Sequence, residues 1–257
     1  MGVINVTPDS FSDAGVHLRT EAAVTAAWGM LDCGAAIIDV GGESTRPGSE
    51  GISAEEELAR IEPVITDLNG APVSVDTSKA VVARRALELG AELVNDVTAL
   101  RGDPELAGAV ADGGAYLCLM HMQGDPRTMQ DDPTYDDVVS DVKAFLEERL
   151  AFAVAAGVRE ELVCLDPGIG FGKTVEQNFE LVRRLDEIVA IGRPVLIGFS
   201  RKSSLARILK DPDSKVGTMA ASIGAAVSAF HHGATILRAH DVREHVEALA
   251  AAKAVRG

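Results

Sequence analysis

Asp76, Asn95, Asp166 and Lys202 each stand at or just past the end of a short apolar run, and so do Asn5, Arg238 and His240. Residues of these types can do chemistry once strands gather them. Two carboxylates, an amide and an ammonium offer what a heterocycle with several donors and acceptors needs. Asn5, Thr45, Arg46, Arg238 and His240 form a second set. Guanidinium, imidazole and hydroxyl groups suit a phosphate or a carboxylate. A divalent ion would bridge such an anion to Asn5 and nearby oxygens. Phe11, an aromatic ring in a polar loop, is a candidate to stack on a ligand.

The elements that must position these groups follow from the apolar pattern. Candidate strands are Gly2–Asn5, Ala36–Val40, Pro72–Val75, Glu92–Asn95, Ala115–Met120, Leu162–Leu165, Pro194–Gly198 and Thr235–Arg238. Helical periodicity fills the gaps. Ser53-Ala-Glu-Glu56 reads as a capping box. Thr134-x-x-Asp137 is expected to open the longest helix, with Gly157 as its stop. Asp103-Pro104 reads as an N-cap followed by a first-turn proline. Strand–helix alternation implies parallel pairing with helical crossovers. Strands buried on both faces read as nearly continuous apolar runs. A length of 257 residues is usual for an eight-fold barrel. The fold class is therefore α/β, a single-domain eight-stranded parallel (β/α)8 TIM barrel over residues 1–257. A doubly wound open sheet is the competing architecture.

In such a barrel the active site gathers at the C-terminal strand ends. Asp, Asn and Gly are also common turn and cap residues. That plain reading accounts for two or three strand ends and poorly for all eight. The long connections Thr7–Arg19, Gly41–Ser53 and His121–Tyr135 lie on the same side. They exceed the usual ~4–6 residues and suit lids or ligand clamps. Arg201 and Lys202 open a helix, where positive charge is unfavourable, which favours a functional reading. His240 is as well explained by a cap as by a ligand role. His121 is expected to be structural, and His231-His232 a helix end. The stretch Asp166-Pro-Gly-Ile-Gly-Phe-Gly-Lys-Thr174 lacks phosphate-loop spacing and is expected to be a tight turn shaping the pocket.

Composition narrows the ligand. Lys+Arg 24 against Asp+Glu 39 gives a net charge of −15, which argues against a nucleic-acid groove but not against a small anion in a basic cleft. Cys33, Cys118 and Cys164 form no C-x-x-C pair and read as reduced, buried thiols of a cytoplasmic protein. No apolar run reaches membrane-spanning length, and no signal peptide is expected.

The chain resembles the bacterial dihydropteroate synthases along essentially its whole length. The resemblance is carried by Asn5-Val-Thr-Pro-Asp-Ser-Phe-Ser-Asp13, Gly41-Gly-Glu-Ser-Thr-Arg-Pro-Gly48, Ser74-Val-Asp-Thr-Ser-Lys79, Asn95-Asp-Val97, Met120-His-Met-Gln-Gly124, Asp166 to Thr174, Ser200-Arg-Lys-Ser203 and Arg238-Ala-His-Asp-Val242. It implies condensation of 6-hydroxymethyl-7,8-dihydropterin diphosphate with p-aminobenzoate, giving 7,8-dihydropteroate and pyrophosphate with Mg²⁺. By the same resemblance Asp76, Asn95, Asp166 and Lys202 hold the pterin, Met120 and Phe171 line its pocket, and Arg238 stacks on it. Asn5, Thr45, Arg46, Arg238 and His240 hold the diphosphate, with Asn5 reaching the metal. Phe11, Thr45, Pro47 and Ser203 form the p-aminobenzoate site, where sulfonamides compete. Asp76, Lys202, Arg238 and His240 carry the catalysis. A homodimer is implied, with the apolar face around Met219–Phe230 as a candidate interface.

Four departures from the family pattern concern support rather than site residues, one of them Ala239 in place of a valine. Ala14 stands where glycine is usual, Ser204 replaces a larger apolar residue, and Thr98-Ala99 replaces a Ser-Gly-like pair. Rival readings are a pterin-dependent methyltransferase domain with a corrinoid partner, a Schiff-base aldolase using Lys202, and a non-catalytic pterin-binding protein.

Overall fold

The computed structural model describes residues 1–7, 16–45, 48–124, 128–209 and 216–256. Its strands are β1 (Gly2–Asn5), β2 (Ile38–Gly41), β3 (Val73–Asp76), β4 (Leu93–Asp96), β5 (Tyr116–Met120), β6 (Val163–Asp166), β7 (Leu196–Ile197) and β8 (Ile236–Leu237). All neighbours pair in parallel: β1 to β6 form one sheet and β7 with β8 a second. Two bridges join them, Leu165 with Val195 and Gly2 with Ala239. Ala239 N–H donates to the Met1 carbonyl at 3.0 Å, and the Met1 amino group donates to the Leu237 carbonyl at 3.0 Å. These contacts close the ring into the expected barrel.

The helices are α1 (Val16–Asp32), α2 (Ala54–Asp67), α3 (Ala80–Glu88), α4 (Leu106–Gly113), α5 (Val138–Ala155), α6 (Val175–Arg183), α7 (Leu185–Val189), α8 (Ser203–Ile208), α9 (Met219–His231) and α10 (Val242–Arg256). Two helices follow β6 and two follow β7, where the alternation implied one. The Ser53 cap is present, its Oγ accepting the Glu56 N–H at 3.2 Å. The cap of α5 lies three residues later than expected. Asp137 accepts the Ser140 N–H at 2.8 Å, while the Thr134 backbone pairs with the Gln123 side chain. Asp103 was expected to cap α4, but the N-cap is Glu105; Asp103 instead accepts the Glu105 N–H on Oδ1 at 2.9 Å and the Ala80 N–H of α3 on Oδ2 at 2.8 Å.

The strands are apolar on both faces only in part. Ile38, Val40, Val73, Val75, Val94, Leu117, Leu119, Val163, Leu165 and Ile197 belong to the main core, packed with buried helix residues such as Ile61, Leu106, Leu146 and Leu181. Leu93, Cys118, Cys164 and Leu196 form a separate, smaller apolar cluster. Strand side chains alternate between faces, so a second row shares the barrel interior with that cluster. This row is polar: Asp39, Ser74, Asp76 and Asn95 are buried. Register places Asn5, Gly41, Asp76 and Asn95 side by side across β1 to β4. No described helix is long and apolar enough to cross a membrane.

Candidate active site

One cleft at the C-terminal strand ends is lined by Thr45, Asp76, Asn95, Met120, Asp166, Phe171, Lys202 and Arg238, together with Val97, Ile169 and Gly198. The structure thus brings together eight of the residues singled out from sequence. Asn5 ends β1, Ser203 opens α8 beside Lys202, and His240 lies two residues past Arg238. These three stand next to the cleft rather than in its lining. Phe11, Arg46 and Pro47 lie outside the described residues.

Arg238 follows β8 and reaches across the barrel. Its Nε donates to Asp39 Oδ2 at 2.6 Å and its Nη2 to Asp76 Oδ2 at 3.1 Å. Asp39 is wholly buried, and it also accepts from Ser74 Oγ at 2.6 Å and from Asn95 Nδ2 at 3.0 Å. Buried charges need this degree of pairing. Asp39 therefore anchors Arg238 and Asn95 at once. Sequence reasoning missed it as a site residue, although an acid inside the apolar run Ile37-Ile38-Asp39-Val40 was a usable signal.

Asp76 has less support. Burial first, and then the Asp39 charge, push its pKa up from 3.8 to about 7, while Arg238 pulls it down. Burial also raises Asp166, against the pull of the Gly168 N–H, which it accepts at 2.7 Å, and of Lys202. Lys202 Nζ sits 4.3 Å over the Phe171 ring, a cation–π contact on the cleft wall. Its neighbour Arg201 turns away to Asp241, with Nη2 at 2.5 Å from Oδ1. The left-handed φ of Arg201, +59°, separates the two side chains, and its N–H is held by Ser222 Oγ at 3.0 Å.

His240 is held by Ser200. Burial, then Arg238 and Arg201, lower its pKa to about 4, so it is neutral near pH 7. Ser200 Oγ accepts the His240 N–H at 3.2 Å and lies 3.1 Å from Nδ1. We assign the hydroxyl proton to Nδ1, which leaves the ring proton on Nε2 as a hydrogen-bond donor.

The glycine-rich turn after β6 is built on Lys173. Its Nζ contacts His121 Nδ1 at 2.9 Å, the Gly168 carbonyl at 3.0 Å and the Phe171 carbonyl at 2.9 Å. Burial lowers Lys173 to about 7. The same burial, with Lys173 beside it, lowers His121 to about 2, so His121 is a structural acceptor, as expected. Gly168 has φ +72°, and a Cβ there would stand 1.9 Å from the His121 carbonyl oxygen. The turn therefore shapes the pocket and presents Phe171. Lys173 was absent from the expected site because its burial depends on the folded turn.

Asp96 is scaffold where Asn95 faces the cleft. It accepts from Ser78 Oγ, the Thr98 N–H and the Leu100 N–H at 2.6–2.8 Å. Ala99 and Leu100 have φ of +51° and +63°. That strain explains the glycine-like residue usual at Ala99. Arg149 offsets it, donating to the Ala99 carbonyl at 2.8 Å and the Leu100 carbonyl at 3.3 Å. Ser204 is compensated as well, because its Oγ accepts from Asn178 Nδ2 at 3.0 Å.

Among the described residues no cluster of three His, Cys, Asp or Glu could enclose a metal. Mg²⁺ bound through substrate phosphates needs only one or two protein oxygens. The half-buried Asn5 amide at the end of β1 fits that need.

Comparison with known proteins bears on the same site. The pterin binding enzyme profile matches residues 1–240. The dihydropteroate synthase of Escherichia coli (strain K12) is 46% identical over 252 residues, covering 97% of this chain and 88% of that protein. A crystal structure of the Yersinia pestis dihydropteroate synthase with a sulfonamide drug superposes with a TM-score of 0.92 at 44% identity, covering 100% of this chain and 93% of that one. The Xanthomonas albilineans dihydropteroate synthase in complex with 7,8-dihydropteroate gives 0.88 at 41% identity, with coverage of 100% and 93%.

Proposed function

The chain belongs to the pterin binding enzyme family, and from that premise we infer that it is a transferase of folate biosynthesis making 7,8-dihydropteroate. The substrates are 6-hydroxymethyl-7,8-dihydropterin diphosphate and p-aminobenzoate, and pyrophosphate leaves. The observation that carries this reading is a single cleft holding both ring-binding and anion-binding groups.

Asp76, Asn95, Asp166 and Lys202 bind the donors and acceptors of the pterin, with Met120 and Phe171 as its walls. Arg238, anchored by Asp39, presents its guanidinium between ring and leaving group. His240 donates from Nε2 to the diphosphate, as Thr45 and Arg46 donate from the β2–α2 loop. Asn5 would hold Mg²⁺, which supplies charge neutralisation of the departing pyrophosphate when bound. Departure leaves positive charge on the pterin methylene, and the nearby Asp76 carboxylate stabilises it. The arylamine, seated by Phe11, Thr45, Pro47 and Ser203, is nucleophilic at neutral pH and needs no strong base. Sulfonamides would compete at this second seat.

The reduced cysteines suit a cytoplasmic setting. We propose that the chain works as one barrel domain in a homodimer. The exposed apolar side chains of Ile208, Val216 and Met219, by α8 and α9, are the candidate interface.

Pyrophosphate release tests the reading. Release from the pterin diphosphate should require p-aminobenzoate and Mg²⁺, stop with a chelator, and yield dihydropteroate. Pterin binding without release would favour the non-catalytic or methyltransferase reading.

A further inference from the structure

Lys79 follows β3 at the end of Asp76-Thr77-Ser78-Lys79, and the proposed chemistry makes no use of it. Its Nζ bridges two carboxylates. Glu57 Oε2, on α2, lies at 2.5 Å, and Glu43 Oε2, in the β2–α2 loop, is a second hydrogen-bond partner. Burial works against the lysine's charge, yet the bonds to Glu43 and Glu57 outweigh it and raise its pKa. Glu57 is wholly buried, and among the described residues its Oε1 has no hydrogen-bond partner. Such a carboxylate binds its one cation tightly, because separation would leave a buried charge unpaired. Lys79 is thereby held at α2, and Glu43 is what it holds in turn.

The loop shows the consequence. Arg60 Nη1, also on α2, donates to the Gly42 carbonyl at 2.7 Å. A Cβ at Gly42 would stand 2.8 Å from Ile61 Cγ2, so the loop root lies flat on α2. At the other end, a Cβ on Gly51 would lie 3.3 Å from Glu43 Oε1. Thr45, two residues past Glu43, lines the cleft.

We propose that Glu43, Lys79 and Glu57 form a latch that fixes the β2–α2 loop, making Glu43 and Lys79 positioning residues for the arylamine seat. The proposal rests on the reaction read above. The loop serves the arylamine and the diphosphate, whereas the groups that hold the pterin ring stand on other elements, so loss of the latch spares ring binding.

Glu43→Ala is the test variant, because it leaves Lys79 paired with buried Glu57. The KM for p-aminobenzoate should rise about tenfold, with kcat at saturation and calorimetric Kd for the dihydropterin lacking its diphosphate unchanged. Lys79→Arg should keep the wild-type KM. Hydrogen exchange at residues 42–45 and 48–52 should quicken in Glu43→Ala. An unchanged KM, unchanged exchange, or an equal loss of binding of that dihydropterin would each overturn the latch. If the wild-type chain makes no dihydropteroate, the reaction reading fails, and the exchange arm still judges the latch.

Discussion

Arg238 and Lys173 are two cations drawn into the same end of the barrel, and their surroundings differ in one respect. Arg238 meets the carboxylates of Asp39 and Asp76. The hydrogen-bond partners of Lys173 are an imidazole nitrogen and backbone carbonyls. Burial opposes both charges. For Arg238 the acids outweigh it and the pKa rises. For Lys173 nothing outweighs it, and the pKa falls to about 7. The first region keeps a fixed charge available to an incoming anion. The second spends its hydrogen bonds on backbone and serves as a bolt for the Phe171 turn.

The largest expected effect breaks the first region. Arg238→Ala should lower turnover about a thousandfold, as loss of a preorganised donor does. It should also leave Asp39 and Asp76 facing each other unpaired, pushing Asp76 further above 7. Steady-state pyrophosphate release and carboxyl titration by NMR check both parts. Activity near wild type would remove Arg238 from the leaving-group site.

The next two predictions set the regions against each other through pH. Between pH 7 and 10.5 the unfolded chain keeps a proton on Lys173 that the folded chain sheds, so this group makes stability rise with pH. Lys173→Met should remove about 2 kcal/mol of that rise. Asp76 has the opposite sign. Its pKa is raised in the fold, so its favourable contribution is complete below 3.8 and is lost as pH climbs through 7. Asp76→Asn should flatten that fall by about 2 kcal/mol. Urea denaturation across pH 4 to 10 reads both as difference curves against wild type. Parallel curves would mean that neither group titrates as its surroundings require.

The smallest effect sharpens the comparison at the wall between the two regions. Lys202 bears on the ring that the Lys173 turn presents. Lys202→Ala should weaken pterin binding about tenfold and leave stability nearly unchanged. Calorimetric titration with the pterin measures it, and unaltered affinity would exclude Lys202 from the pocket.

Much of this was legible beforehand, and the misses have physical causes. β1 was placed to the residue, while β3, β4 and β6 run one residue past their expected ends, to Asp76, Asp96 and Asp166. Apolar runs mark where a strand stops being greasy. The backbone ladder carries on into the polar residue. The cap of α5 was misplaced because Thr134 and Asp137 both fit a cap, and only the Gln123 contacts decide between them.

Local residue types by themselves determined the alternation of strands and helices, the side of the barrel that carries chemistry, and the identity of most cleft residues. Each of those is written in neighbours a few positions apart. Tertiary structure alone decided that Asp39 holds Arg238 from 199 residues away, that Asp96 is scaffold beside a functional Asn95, and that Lys173 is buried with an imidazole and carbonyls rather than an acid as its hydrogen-bond partners. The reason is barrel closure. It joins the first strand to the last, and it decides which charges meet a counter-charge out of water and which meet only the backbone.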